Sequence, residues 1–132
     1  MRIAPLIFMV LLGLNGAFAL LLGLNSLVNF EGAMESFGIL YNETMAPLGT
    51  VSGAQFLLQS AMLLMAIVWT RRQNPAGVWT GIAVGVYLVF LTLVEVGHGR
   101  GQLALIADLP RGMLLVLLGI VVRRTLSVRS AA

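Results

Sequence analysis

The chain has 132 residues, 59% of them hydrophobic and only 10% charged, against roughly a quarter charged in an average soluble domain. A soluble fold of this length has too little interior to hide that much apolar surface, and a mean hydropathy of +0.99 points to lipid as the solvent for most side chains. All eight cations are arginine and the formal net charge is +3, but no basic stripe with interleaved aromatics supports nucleic acid as a partner. With no cysteine, disulfides, thiolate metal sites and cysteine nucleophiles are excluded, and no cofactor or metal is expected.

The first apolar run, residues 3–24, reaches about 33 Å as a helix, enough to cross a hydrocarbon core of about 30 Å. Ala17-Phe18-Ala19 imitates a signal-peptide cleavage site, but Leu20 to Leu24 continues the apolar run past it, so the segment is read as a retained span. Pro5 falls in the first turn, where its missing N–H does little harm. Residues 25–45 carry Glu31, Glu35 and Glu43 and form an extramembrane connection. Phe30, Met34, Phe37 and Leu40 follow helical spacing there and predict a short amphipathic helix in the interface.

The second span covers residues 46–70 and ends in the polar turn Arg71-Arg72-Gln73-Asn74-Pro75. The third covers 77–97, followed by Gly97-His98-Gly99-Arg100-Gly101, a turn made flexible by its glycines. The fourth covers 103–123 and must hold Asp108, Pro110 and Arg111; residues 125–132 read as a flexible tail. Two forms of this span are open. In one, a full span kinks at Pro110, whose missing N–H frees the Ile106 carbonyl for an arginine donor. In the other, residues 102–107 lie in the interface and Asp108 caps a shorter helix. The fold class is therefore an all-α membrane protein, a four-transmembrane-helix bundle with a short interfacial helix between spans 1 and 2.

The arginines set the expected orientation. Arg2, Arg71, Arg72, Arg123, Arg124 and Arg129 fall on one side and the acidic connection on the other, with Arg100 as the one outer exception. The positive-inside rule then places both termini in the cytoplasm.

Counting helical rise from the arginine side puts Arg111 about 18 Å deep, Asp108 and Gln55 about 22 Å, Gln59 about 16 Å and Glu95 about 25 Å. Asn15 and Ser60 fall near the midplane by the same count. Charges at such depth cost at least ~2.5 kcal/mol near the centre, so they should face the bundle interior and find partners. Asp108 and Arg111 stand i, i+3 and can pair within one helix. Glu95 has His98 one turn away, a pH-sensitive pair if both are dry. Gln55, Gln59, Glu95, His98, Asp108 and Arg111 thus form the candidate polar cluster. It reads either as a proton or solute path opening outward, or as structural glue whose amides hydrogen-bond across helices. Gly77, Gly81 and Gly85 make a small-residue packing stripe on the third span, which serves either packing within the chain or dimerisation.

His98 is the only histidine, which rules out two-histidine ligation of haem or metal within one chain. Ser52 or Ser60 with His98 and Asp108 makes a triad only on paper, because no nucleophile-elbow motif accompanies it.

The segments Leu21-Leu-Gly-Leu-Asn-Ser-Leu-Val-Asn-Phe-Glu-Gly, Phe37-Gly-Ile and Val51-Ser-Gly-Ala-Gln carry a resemblance over nearly the whole chain. In these and in its order of elements the chain resembles small bacterial four-helix membrane families of DoxX-like and domain-of-unknown-function type. The arginine and paired glycines that such families show near the start of the second span are missing here, so no functional residue is carried over. The leading expectation is a non-enzymatic membrane subunit, in contact with the lipid bilayer, that binds a membrane-protein partner or a copy of itself as a homo-oligomer. The other is a small ion- or proton-coupled or small-solute transporter acting as an oligomer.

Overall fold

A computed structural model describes residues 3–36, 38–99 and 102–130, with the side chains of 102–104 and 127–130 left out. Arg2, Phe37, Arg100, Gly101, the Arg129 side chain and residues 131–132, all named above, lie outside the described residues. The described residues form five α-helices, α1 (Ile3–Val28), α2 (Phe30–Ser36), α3 (Ala46–Arg71), α4 (Pro75–Gly97) and α5 (Gln102–Ser130), with a 3-10 turn at Glu43–Met45 before α3. Helices α1, α3, α4 and α5 are each long and apolar enough to cross a membrane, which makes this an all-α four-helix bundle of a multi-pass membrane protein.

The turns explain the chain path. At the end of α3, Asn74 N–H donates to the Trp69 carbonyl at 2.8 Å and Gln73 N–H to the Thr70 carbonyl at 3.0 Å, while Gln73 takes a left-handed φ of 59°. This closes the helix in a Schellman turn. Asn74 then caps α4 by accepting from Ala76 N–H at 2.9 Å, and Pro75 starts the helix where no donor is needed. One short segment thus ends one helix and begins the next, folding α4 back along α3.

A second Schellman turn, with Gly38 at φ 70°, ends α2 through Ile39 N–H to the Met34 carbonyl at 3.0 Å. It stops the helix short of Leu40, which therefore lies outside the amphipathic repeat and is exposed. Phe30 of α2 packs over Gly49, and its ring meets Tyr41 edge-on at 6.1 Å, so α2 folds onto the start of α3.

Neighbouring long helices run antiparallel in an up-and-down ring: α1 beside α3, α3 beside α4, α4 beside α5, and α5 beside α1. The core is Phe8, Leu12, Leu63, Ala66, Val78, Val84, Leu88, Leu115 and Val122, with Ile67, Ile82 and Leu126 among the residues packed against it. Lipid offers no hydrophobic drive for helices to associate, so close backbone approach must supply the dispersion energy, and glycines permit it. A Cβ on Gly85 would fall 2.7 Å from the Gly112 carbonyl oxygen, and one on Gly112 would fall 2.7 Å from that of Gly85. Gly23 and Gly53 play the same part between α1 and α3.

Three boundaries differ from the sequence reading. Helix α1 runs on to Val28 because Leu27 packs against Gly53 and Ser26 is buried. Helix α5 continues to Ser130, where a flexible tail from residue 125 was expected, because Leu126 packs on the core and Thr125 Oγ1 donates to the Val122 carbonyl at 2.7 Å. The same helix begins at Gln102 and passes through Pro110, so Asp108 lies inside it rather than capping a shorter one.

Candidate functional site

The arginine half of the bundle is sealed by apolar side chains. Phe8, Leu12, Leu63, Leu115 and Val122 are fully buried there, and the Phe8 ring presses against the face that Gly81 leaves bare. Polar residues gather in the other half, beyond Asn15 and Ser60 toward α2, as depth counting anticipates.

Arg111 is the centre of that group. Its Nη2 donates to Asp108 Oδ1, its Nε donates to the Ala107 carbonyl at 3.0 Å, and its guanidinium carbon lies 4.4 Å from the ring centroid of Phe18 on α1. Two side chains each about one quarter exposed therefore neutralise one another on a single helix face, with an aromatic lid from a second helix. The arginine serves Ala107 rather than Ile106, whose carbonyl Pro110 deprives of its usual donor. Nε emerges one turn below its own Cα, level with the carbonyl of Ala107, so the short loop back to i−4 is the reachable one.

Glu95 is half-buried on α4 and near enough to Asp108 to feel its charge, yet it makes no hydrogen bond or ion pair among the described residues. The expected Glu95 and His98 pair is not formed. Nδ1 of His98 instead donates to the Val94 carbonyl at 2.8 Å, at the exposed end of α4. That bond fixes the tautomer and leaves Nε2 as the basic nitrogen.

Gln55 donates from Nε2 to Tyr87 Oη, joining α3 to α4, whereas the half-buried Gln59 has no hydrogen-bond partner among the described residues. The glue between helices is otherwise sparse. Ser60 Oγ donates to the Gly16 carbonyl at 2.8 Å, tying α3 to α1. Asn15, expected to bond across helices, turns back to donate to the Leu11 carbonyl at 2.8 Å on its own helix. Ser52, Thr80 and Thr92 do likewise, donating to Leu48, Ala76 and Leu88. In lipid the i−4 carbonyl is the nearest acceptor for a short hydroxyl or amide side chain, although the buried Thr70 Oγ1 has no hydrogen-bond partner among the described residues.

The structure thus joins Asp108 to Arg111, brings Glu95 near them, and leaves Gln59 and His98 apart. Phe18 and Tyr87 complete the cluster although no sequence argument singled them out. Each has a legible signal in hindsight: an aromatic ring is the one apolar partner a membrane arginine can stack on, and a tyrosine inside a span carries a hydroxyl that must be satisfied. Among the described residues, no group of three His, Asp or Glu side chains is arranged to hold a metal.

The glycine stripe of α4 is consumed inside the chain, each glycine against a different helix. Gly77 abuts Ala66 and Thr70 of α3, Gly81 abuts Phe8 and Leu12 of α1, and Gly85 abuts Gly112 and Leu115 of α5. Of the two roles open to this motif, packing within the chain is the one taken. Comparison with known proteins finds no matching family model, curated protein or solved structure.

Proposed function

We propose that the chain is a non-enzymatic, self-associating membrane subunit that works through its lipid-facing flank rather than through an interior site. One observation carries this reading: apart from Glu95 and Gln59, the polar groups that a transport route would need are bonded to their own helix or to one neighbour, and the core behind them is closed by Phe8, Leu12, Leu63 and Leu115. Since α4's glycines are occupied internally, the surface offered to a second copy is apolar and lateral. On α1, Ile7, Val10, Leu14, Ala17, Leu21 and Leu24 are all exposed and recur at alternating three- and four-residue steps. A seam of that period matches a copy of itself across a two-fold axis and packs as knobs into holes.

The orientation that accompanies this reading has the arginine end in the cytoplasm of a bacterial inner membrane. It is supported by Arg71, Arg72, Arg123 and Arg124 sharing one end of the bundle while Glu31, Glu35 and Glu43 share the other.

Because the chain has no cysteine, single cysteines report cleanly. Leu14→Cys and Leu21→Cys should crosslink to dimers in native membranes, while Val51→Cys on α3 should not. Equal crosslinking at all three positions, or only monomers at all three, removes the self-association reading.

A transporter is the second reading, favoured by the unpartnered Glu95 carboxylate near Asp108. Proton- or ion-dependent flux into proteoliposomes that is unaffected by Glu95→Gln would end it.

A further inference from the structure

On the flank formed by α4 and α5, Val86, Phe90 and Leu93 face Met113, Val116 and Leu117 across an open groove of about 390 Å³. No polar side chain lines it. We propose that this groove holds one acyl chain of an anionic glycerophospholipid whose phosphate sits at the arginine end of the same helix pair. The proposal concerns a different flank from the α1 seam and does not depend on it.

Register and depth both point to this occupant. Trp79 lies one heptad before Val86 on the same face of α4, and Arg124 one heptad after Leu117 on α5, so the faces that line the groove carry an aromatic and a cation two turns beyond its arginine-side end. Between them Ile120 and Val121 are exposed, keeping the track apolar up to the boundary. Helical rise puts Leu117 about 10 Å and Met113 about 16 Å below Arg124 on α5, and Val86 about 10 Å and Leu93 about 21 Å below Trp79 on α4, so an acyl chain entering from the arginine end meets the groove within its own leaflet and its tip reaches past the midplane of a core about 30 Å thick.

The head of the track is built for a phosphate. The guanidinium carbon of Arg123 lies 4.4 Å from the Trp79 ring centroid, which ties α5 to α4 at the boundary. Stacking occupies the face of a guanidinium and leaves its in-plane N–H groups to meet phosphate oxygens. Tryptophan at this level is also a usual interfacial anchor. Arg71 and Arg72 end α3 at the same level, and among the described residues this end carries no acidic side chain to compete. The charge complementarity is therefore with an anionic headgroup, and it selects a lipid over a second apolar helix.

The test is to titrate detergent-solubilised protein with dioleoyl phosphatidylglycerol or dioleoyl phosphatidylcholine and count retained lipid by native mass spectrometry. The expected result is about tenfold preference for phosphatidylglycerol, the scale that one or two arginines near a membrane surface provide. The preference should fall to near unity in Arg123→Gln/Arg124→Gln. Retention of either lipid should fall in Val86→Phe, which fills the groove from an exposed position, and should persist in Leu14→Phe, an equally exposed position on α1. Equal retention of the two lipids by the unaltered protein overturns the proposal. So does retention that survives Val86→Phe, since the headgroup would then bind without the groove. Dimer crosslinking through Met113→Cys that lipid addition leaves unchanged would assign the groove to a second copy and also overturn it.

Discussion

Asp108 and Arg111 neutralise each other one turn apart on α5, and Phe18 covers the guanidinium from α1. The pair is worth little as a source of stability, because desolvating two charges offsets most of their attraction. Its members are nevertheless costly to separate. Arg111→Gln leaves a carboxylate unpaired near Glu95 and should lower the unfolding free energy in mild detergent by about 1–3 kcal/mol, while Asp108→Asn/Arg111→Gln should lose less than Arg111→Gln alone. Equal losses in the single and double variants would show that Asp108 does not depend on Arg111. The presence of this pair was legible from its i, i+3 spacing alone. Its aromatic lid was not, because Phe18 lies far away in sequence and reaches Arg111 only through the antiparallel packing of α1 on α5.

At the scale of the helix, the distinction between glycines matters more than their number. Gly85 and Gly112 face each other with no room for a Cβ, whereas nothing lies within 4 Å of the Cβ position on Gly97. Gly85→Ala and Gly112→Ala should each destabilise by about 1–3 kcal/mol, because backbone rather than a flexible side chain must give way. Gly97→Ala should stay within about 0.5 kcal/mol. Thermal unfolding of the three variants in one detergent decides the matter, and equal midpoints would contradict the packing described. The spacing of Gly77, Gly81 and Gly85 marks a packing face without naming the packed surface. Three glycines on one stripe meet three different helices because α4 faces α3 at its start, crosses the core toward α1, and then lies on α5.

For the molecule as a whole, up-and-down order places the turn after α3 and the end of α5 on one side, and the α2 connection and the turn after α4 on the other. Cysteines at Gln73 and Arg124 should therefore share one accessibility to a membrane-impermeant maleimide in sealed vesicles, and cysteines at Asn42 and His98 the opposite one. Gln73 and Asn42 labelling alike would exclude four spans. The same order brings Arg71, Arg72, Arg123 and Arg124 to one level, so residues scattered in sequence form one cationic end opposite an acidic one.

What the amino-acid sequence determined by itself was the presence of four long apolar helices, the polar turns between them and the position of each polar group along its helix. These follow from run length, helical rise and the cost of charge in hydrocarbon, all local quantities. Even the turn chemistry of Asn74 and Pro75 belongs here. Only the tertiary structure decided which polar groups meet. In lipid a serine, threonine or asparagine can satisfy itself on its own helix as readily as on a neighbour, so depth does not specify a partner. Asn15 turned inward to Leu11, His98 to Val94 and Arg111 to Ala107, while Ser60 and Gln55 reached across. It likewise decided that the glycines of α4 pack inside the chain, each against a different helix, while all four long helices turn apolar side chains outward.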